Sequence, residues 1–433
     1  MCIEPGLSLN HGALTEQDAF QLEHILAEYE ILFNEPESLA LNEGLDAGYT
    51  QLREPTFLNI EPVNIYMDSS ATPIYRKNRP LPLGQQELVK TELKNLAQNG
   101  IIYPVSHSEW ASPLVIVRKP NGEIRMCGDY KVTVNKYIIY DQYRVPLVDD
   151  LMCNVVNCKY FTKLDLRRAY HQILLTLEAQ ALTTVSTPYG LFRYRCLPFG
   201  FSNAPSRFQR TMDSLLGGVE GVCVFQDDIL IYAETVAIHL ERLKNVLRIL
   251  KGHNLRLSKS KCEILAESIT FLGHNLSSKG VSPVESKIEA LVDTPIPTSP
   301  KLLHSFLGLV NYYAKFIPKL SEKVRPLYRL IRKGAKWQWT EEFTNIIEEI
   351  KTGLSQLPIL SIFDPSQHTV LYTDASPVGL GAVLSQRDSF GNEHPVYYGS
   401  KSLTPAEANY REEGPRYNMG GTEVPPVPLS AEV

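Results

Sequence analysis

A chain of 433 residues, 43% hydrophobic and 21% charged, is long enough to bury several cores, and its net charge of -5 shows no overall bias toward nucleic acid. No stretch has the apolar length of a membrane helix, and Met1 to Gln17 lacks a charged start followed by an apolar run, so neither a membrane span nor a secretory leader is expected. Seven cysteines without a Cys-x-x-Cys pair argue against a disulfide framework and a zinc knuckle, and Cys127, Cys153, Cys158, Cys196, Cys223 and Cys262 read as core thiols of a protein in a reducing compartment, cytoplasmic or nuclear.

In chain order, residues 1–70 hold thirteen acidic residues against Arg53 alone, so the average charge hides a basic body. Within them, residues 16–32 form a loosely patterned amphipathic helix candidate with Phe20, His24, Leu26 and Ile31. Residues 74–136 carry ten Lys/Arg against five Asp/Glu, a density that suits phosphate backbones or a solvated surface. A helix is expected over 85–99, with Val89, Leu93 and Leu96 inward and Gly100 as its stop. The extended run Ser112 to Arg118 should turn at Pro120-Asn-Gly122 and return through Arg125 to Tyr130, which puts Lys119 and Arg125 beside one turn. A short helix near 146–156 precedes a strand from Tyr160 to Leu166 that carries Asp165. Asn203-Ala-Pro then opens a helix with Phe208, Met212, Leu215 and Leu216 on one face.

The hairpin that follows runs Val222-Cys-Val-Phe225, Gln226-Asp227-Asp228, Ile229-Leu-Ile-Tyr232. Adjacent carboxylates between apolar strands are costly unless a cation neutralises them, and hard oxygen ligands at one point suit Mg²⁺. Asp is also a common turn former, so the pair alone is ambiguous. Asp165, from a second apolar strand, changes the balance. Nucleotidyl transfer to a 3′-hydroxyl uses two metals, one at the attacking oxygen and one at the leaving pyrophosphate. Asp165 and Asp227 are the expected bridging ligands for two ions, Mg²⁺ or Mn²⁺, with Asp228 a third acid on the alternate strand face. Residues 301–336 carry nine Lys/Arg against Glu322 and form a second basic stretch.

The chain resembles the reverse transcriptases of gypsy-class LTR retrotransposons. The likeness rests on ordered motifs: Ala71-Thr-Pro-Ile-Tyr-Arg76, Ser108-Glu-Trp-Ala-Ser-Pro113, Arg125-Met-Cys-Gly-Asp-Tyr130, the run Tyr160 to Gln172, Leu197-Pro-Phe-Gly200, the run Asn203 to Arg210, Phe271-Leu-Gly-His274 and the run Ser305 to Tyr313. The resemblance covers roughly 55–410 and implies an α+β right-hand polymerase of fingers, palm and thumb followed by a partial α/β ribonuclease H-like lobe. The expected divisions are an acidic extension over 1–54, fingers and palm over 55–290, thumb and connection over 291–360, a partial ribonuclease H-like domain over 361–410 and a divergent, disordered tail over 411–433. The implied activity is RNA-directed DNA polymerisation, with an RNA or DNA template, a primer and dNTPs as partners.

The resemblance also implies site roles. Lys119 and Arg125 match residues that grip the incoming triphosphate, and Tyr170 matches the gate that excludes a ribose 2′-hydroxyl. Phe199 and Gly200 match the turn that closes the nucleotide pocket. Phe271, Leu272, Gly273 and His274 match the primer grip, with His274 equally readable as a structural histidine. In the thumb, Leu302, Phe306, Leu309, Val310 and Tyr313 should pack inward, leaving Lys315, Lys319, Lys323, Arg325 and Arg329 for a duplex.

Two departures stand out. Phe225-Gln-Asp-Asp replaces the usual Tyr-x-Asp-Asp, which should alter speed or fidelity without abolishing activity. At the C-terminal end only Asp374 is clearly placed as a ribonuclease H acid; Gly414-Pro415 opposes the helix expected there, and Glu412 and Glu413 lie out of register, so ribonuclease H activity is expected to be absent. No protease, integrase or zinc-knuckle segment accompanies the polymerase, so the chain reads as a piece of a polyprotein. The competing reading is a catalytically silent remnant that only binds nucleic acid or a partner protein. An RNA-dependent RNA polymerase is disfavoured by Tyr170.

Overall fold

The computed structural model describes residues 8–9, 14–34, 57–118, 122–376, 379–404, 407 and 422–424. Lys119, Glu412 and Glu413 lie outside the described residues. The chain divides into two compact units, Met1–Leu147 with Phe161–Ala266, and Val148–Tyr160 with Glu267–Val433. Among the described residues no helix is long and apolar enough to cross a membrane.

The first unit is built on two five-stranded sheets. One has the order Ile102–Val105, Gly190–Tyr194, Val185–Thr187, Ser112–Arg118, Ile124–Gly128. The Ser112–Arg118 and Ile124–Gly128 strands pair antiparallel, with Val117 opposite Arg125. The helix Leu83–Gln98 buries Val89, Leu93 and Leu96 as expected, and ends where Gly100 takes φ +66° and donates to Ala97 O at 2.9 Å.

The other sheet has the order Ser8–Leu9, Glu263–Ala266, Tyr160–Asp165, Asp228–Ala233, Val222–Phe225. Its apolar strands are covered by two helices. Ala204–Leu216 buries Phe208, Gln209, Met212 and Leu216, and Val236–Gly252 buries five aliphatic side chains from Leu240 to Leu250, each contributing about 1.5–3 kcal/mol. Thr235 caps the second helix by accepting from Ile238 N. Asn203 does not cap the first: its amide donates to Ile139 O at 2.8 Å, and Pro205 supplies the pre-set first turn. The N-terminal helix Glu16–Glu28 turns a different face inward from the expected one. Leu22 and Ile25 are buried, while Phe20 and Ile31 are exposed, because Phe20 and His24 fall on the opposite side of the 3.6-residue period.

In the second unit, the strands Ser268–Phe271, His274–Ser277 and Gly280–Pro283 form an antiparallel meander. The expected short helix near 146–156 is one turn, Val148–Met152, followed by a 3₁₀ segment, Cys153–Val155. Pro300–Tyr312 buries Leu303, Phe306, Leu307 and Val310, whereas Leu302 and Leu309 are each 52% exposed. Apolar residues nearly encircle this helix, so periodicity alone does not choose its buried stripe. Strands Glu393–Ser402, Gly379–Arg387, His368–Ala375 and Thr422–Val424 form a last sheet. Thr422–Val424 pairs antiparallel with Leu371 to Thr369, so this part of the expected disordered tail is a strand. Of the cysteines read as core thiols, Cys153 is exposed and Cys127 half-buried; Cys158, Cys196, Cys223 and Cys262 are buried.

Candidate active site

Three acids meet in the first unit because strand pairing fixes where the chain carries them. Asp165 ends the Tyr160–Asp165 strand, and Asp227 and Asp228 sit at the tip of the hairpin on the neighbouring strand, where Phe225 pairs with Asp228. Leu166 N donates to Asp227 O at 3.0 Å, and Ser258 N donates to Asp165 O at 2.8 Å, so backbone bonds hold the strand ends in register. Gln226 takes φ +53°, a strained value for a non-glycine residue that lets the tip reverse tightly.

The charges are in tension. Burial first, then the Asp165 and Asp228 carboxylates, push Asp227 up to about 6, while Lys261 and Arg125 pull it down. Burial also raises Asp228, whose opposing charge comes chiefly from Lys163. Lys261 Nζ lies 3.2 Å from each carboxylate oxygen of Asp165.

Among the described residues no three ligating side chains already form a cation-gripping group. The donor set nevertheless fits hard divalent cations: oxygen ligands only, on two rigid strand ends, with a raised Asp227 showing charge that a cation would neutralise.

Aromatic and cationic groups line the same region. Tyr170 lies in the Ala169–Gln172 turn, with its ring 5.2 Å from Phe199 and 5.3 Å from Phe208. Burial, then Asp227, pushes its phenol up to about 12, so it stays protonated and donates to Gln226 Oε1 at 2.9 Å. The Arg125 guanidinium stacks 4.9 Å over the Phe199 ring. Gly200 has φ +95°, and a Cβ there would stand 2.5 Å from Gly128 O, so only glycine fits. His171 is fully enclosed against Phe199 and Tyr194, neither ring nitrogen has a hydrogen-bond partner, and burial, with help from Arg168 and Arg125, holds it down to about 3.

The sequence reading missed two supports. Gln209, fully buried, accepts from Gln226 N at 2.8 Å and donates to Val224 O at 2.9 Å, clamping the hairpin tip. Lys261 is the other. Gln209 lies within the run Asn203 to Arg210 and Lys261 in no motif at all, and only tertiary contact reveals their partners.

The second unit holds the expected primer-grip residues in one turn. Leu272 and Gly273 take φ +46° and +76°. Tyr312 Oη and His274 Nδ1 both donate to Leu272 O, at 2.7 and 3.1 Å. His274 is buried and stacked on Tyr312 at 5.5 Å, its Nε2 has no hydrogen-bond partner, and burial, then Lys315, holds it down to about 4. The thumb cations are less available than expected. Lys315 is half-buried and pairs at 2.7 Å with the exposed Asp149, Lys319 pairs with Asp374 at 2.8 Å, and Lys323 pairs with Glu349 at 3.5 Å. Arg325 is half-buried and Arg329 exposed. Acidic neighbours brought in by folding account for this difference, since the linear stretch holds only Glu322.

Acids on a sheet of this order, flanked by a cluster of aromatic rings and followed by a second α/β unit, define a right-hand nucleic-acid polymerase with a ribonuclease H-like region. Residues 117–276 match the family model for reverse transcriptase (RNA-dependent DNA polymerase), and residues 339–413 match that for the RNase H-like domain found in reverse transcriptase. The Tf2-3 and Tf2-4 transposon polyproteins of Schizosaccharomyces pombe are each 38% identical over 336 residues, 77% of this chain and 25% of each polyprotein. This chain thus spans about a quarter of the length of these relatives. The foamy viral protease-reverse transcriptase dRH in complex with double-stranded DNA aligns with TM-score 0.80 at 26% identity, covering 92% of this chain and 67% of that one. The foamy viral protein in complex with RNA/DNA hybrid aligns with TM-score 0.78 at 26% identity, covering 92% and 51%. The chain therefore carries a domain of the reverse transcriptase family followed by an RNase H-like domain, and its likeness to the Tf2 polyproteins is consistent with a gypsy-class element. Divalent metal ions are the cofactors of that family.

Proposed function

We propose that this chain is an RNA-directed DNA polymerase that extends a primer 3′-hydroxyl with dNTPs on an RNA or DNA template. The observation that carries this reading is the meeting of Asp165 with Asp227 and Asp228 at neighbouring strand ends, beside Tyr170, Phe199 and Arg125. Asp165, Asp227 and Asp228 are the residues that would hold two Mg²⁺ or Mn²⁺ ions, whose chemistry is to acidify the attacking hydroxyl and neutralise the departing pyrophosphate.

The chain's own groups supply binding and orientation. Arg125 offers a cationic donor to the triphosphate, the role that the family likeness also gives Lys119. Phe199 and Gly200 form a wall that a base and sugar can approach closely, and the Tyr170 ring bars a 2′-hydroxyl. Lys261 offsets the mutual repulsion of the acids at Asp165. The turn at Phe271 to His274, stiffened through Leu272 O, is suited to holding a primer backbone.

Ribonuclease H activity is proposed to be absent. Asp374 is exposed and ion-paired with Lys319, which supports a structural use of this acid. A cytoplasmic or nuclear setting is supported by the free thiols.

The test is primer extension on poly-rA/oligo-dT with Mg²⁺ or Mn²⁺, comparing the parent with Asp227→Asn. Incorporation of dTTP that vanishes in the variant is expected. No incorporation by either protein would leave nucleic-acid binding as the function.

A further inference from the structure

We infer that Gln226 determines sugar specificity by pinning the hydroxyl of Tyr170, an inference that rests on the polymerase reading above. A gate that excludes a ribose works by contact, so its ring must be held to a fraction of an ångström. Phe199 and Phe208 bracket the Tyr170 ring at 5.2 and 5.3 Å, but apolar contacts of this kind are non-directional and leave the ring free to pivot. The directional restraint comes from its hydroxyl, which donates to Gln226 Oε1 at 2.9 Å.

Gln226 is itself fixed. Its backbone lies in the left-handed region at φ +53°, and its N–H donates to the buried Gln209 at 2.8 Å. Its Nε2 donates to Pro205 O at 3.4 Å, which orients the amide so that the oxygen faces Tyr170. Gln209 in turn donates to Val224 O at 2.9 Å and to Asp213 Oδ1 at 3.0 Å. A line of hydrogen bonds therefore runs from the helix Ala204–Leu216 through the hairpin tip to the ring that faces the sugar. An apolar side chain at position 226 would leave a half-buried phenol without its acceptor, and the ring would turn toward water.

The ligand class is a nucleoside triphosphate, and the atom discriminated is the 2′-oxygen. Support of the turn alone would change the overall rate, whereas this role changes the ratio of deoxy- to ribonucleotide use.

The experiment measures kcat/KM for dTTP and for UTP in primer extension on poly-rA by the full chain. The dTTP/UTP ratio is expected to fall about three- to tenfold in Gln226→Met and in Tyr170→Phe, with no further fall in the double variant. Gln226→Glu, which keeps an acceptor, should hold the ratio although its added charge lowers both rates. Tyr170→Phe leaves the turn untouched and carries the test if Gln226→Met does not fold. A Gln226→Met or Tyr170→Phe ratio within twofold of the parent, additive losses in the double variant, or a collapsed ratio in Gln226→Glu overturns the inference while leaving the polymerase reading standing. A parent that extends primers with neither nucleotide overturns both.

Discussion

Lys261 Nζ is shared between the two carboxylate oxygens of Asp165, 3.2 Å from each, although the residues are 96 positions apart in the chain. The contact places an ammonium among acids that repel one another, and it makes the lysine a competitor for any divalent cation that Asp165 would bind. Lys261→Ala should therefore tighten cation binding, lowering the Mn²⁺ concentration that half-saturates the rise in melting temperature by about two- to fivefold. An unchanged or higher midpoint would show that the lysine does not compete.

Asp227 carries the opposite sign of pH dependence from an ordinary surface acid. Its folded carboxyl titrates near 6 against an ordinary 3.8, so the folded state holds the proton more firmly than the unfolded chain. The cost of ionising it is fully present above pH 6 and is relieved as pH falls from 6 toward 4. Without added metal, Asp227→Asn should stabilise the protein by about 1–2 kcal/mol at pH 7, after allowance for its partial exposure, and by much less at pH 4.5. Urea unfolding at the two pH values checks this. Primer extension by the same variant should fall by at least about 100-fold, the exchange of stability for chemistry expected where like charges are held together.

The basic stretch 301–336 divides by contact and not by composition. Arg329 is exposed, whereas Lys315 is half-buried and paired with Asp149. Arg329→Gln should reduce the slope of log K against log salt for duplex binding by about 0.9, the value of one phosphate contact. Lys315→Gln should leave that slope unchanged and instead destabilise the fold by no more than about 1 kcal/mol, because the Asp149 carboxylate it leaves is 61% exposed and water takes the place of its partner. Equal slopes for the two variants would contradict this division.

His274 should make the second unit acid-sensitive. Its folded pKa is held to about 4 against an ordinary 6.5, so its contribution is intact above 6.5 and is lost as pH falls through 6.5 toward 4, where the unfolded chain takes the proton first. His171, held to about 3, acts with the same sign in the first unit. His274→Phe keeps a ring against Tyr312 but cannot titrate. It should cost about 1 kcal/mol at pH 7 through the lost bond to Leu272 O, yet show a flatter loss of stability between pH 7 and 5 than the parent. Equally steep profiles would remove His274 as the source.

Phe225→Tyr restores the phenol usual in the family at a position that is half-buried and paired with Asp228. Since the carboxylates are already in place, steady-state primer extension should change by no more than about threefold. Activity that rises from nothing would mean that Phe225 had silenced the site.

The acids and the hairpin that bears them were legible in the chain because apolar strands, a polar tip and a second acidic strand each leave a local pattern. Gly200 was legible only through the family resemblance, since the Gly128 carbonyl that crowds it is distant in the chain. The partners were not. Gln209, Lys261, Tyr312 and Asp149 act on groups distant in sequence, and nothing in a linear pattern says which polar side chain a fold will bring against which carboxylate. Helix faces failed where apolar residues were too many or too scattered to choose a stripe, as with Leu302 and Leu309 exposed beside buried Leu303 and Leu307.

By itself, the sequence determined the element types, the family likeness and the three acids, because periodicity and turn chemistry act over a few neighbouring residues. Only the tertiary structure decided that Lys261 lies on Asp165, that Gln226 holds Tyr170, and that Lys315 is spent on Asp149. Electrostatics and hydrogen bonds act across space, and their strength depends on burial and distance, which exist only once the chain has folded.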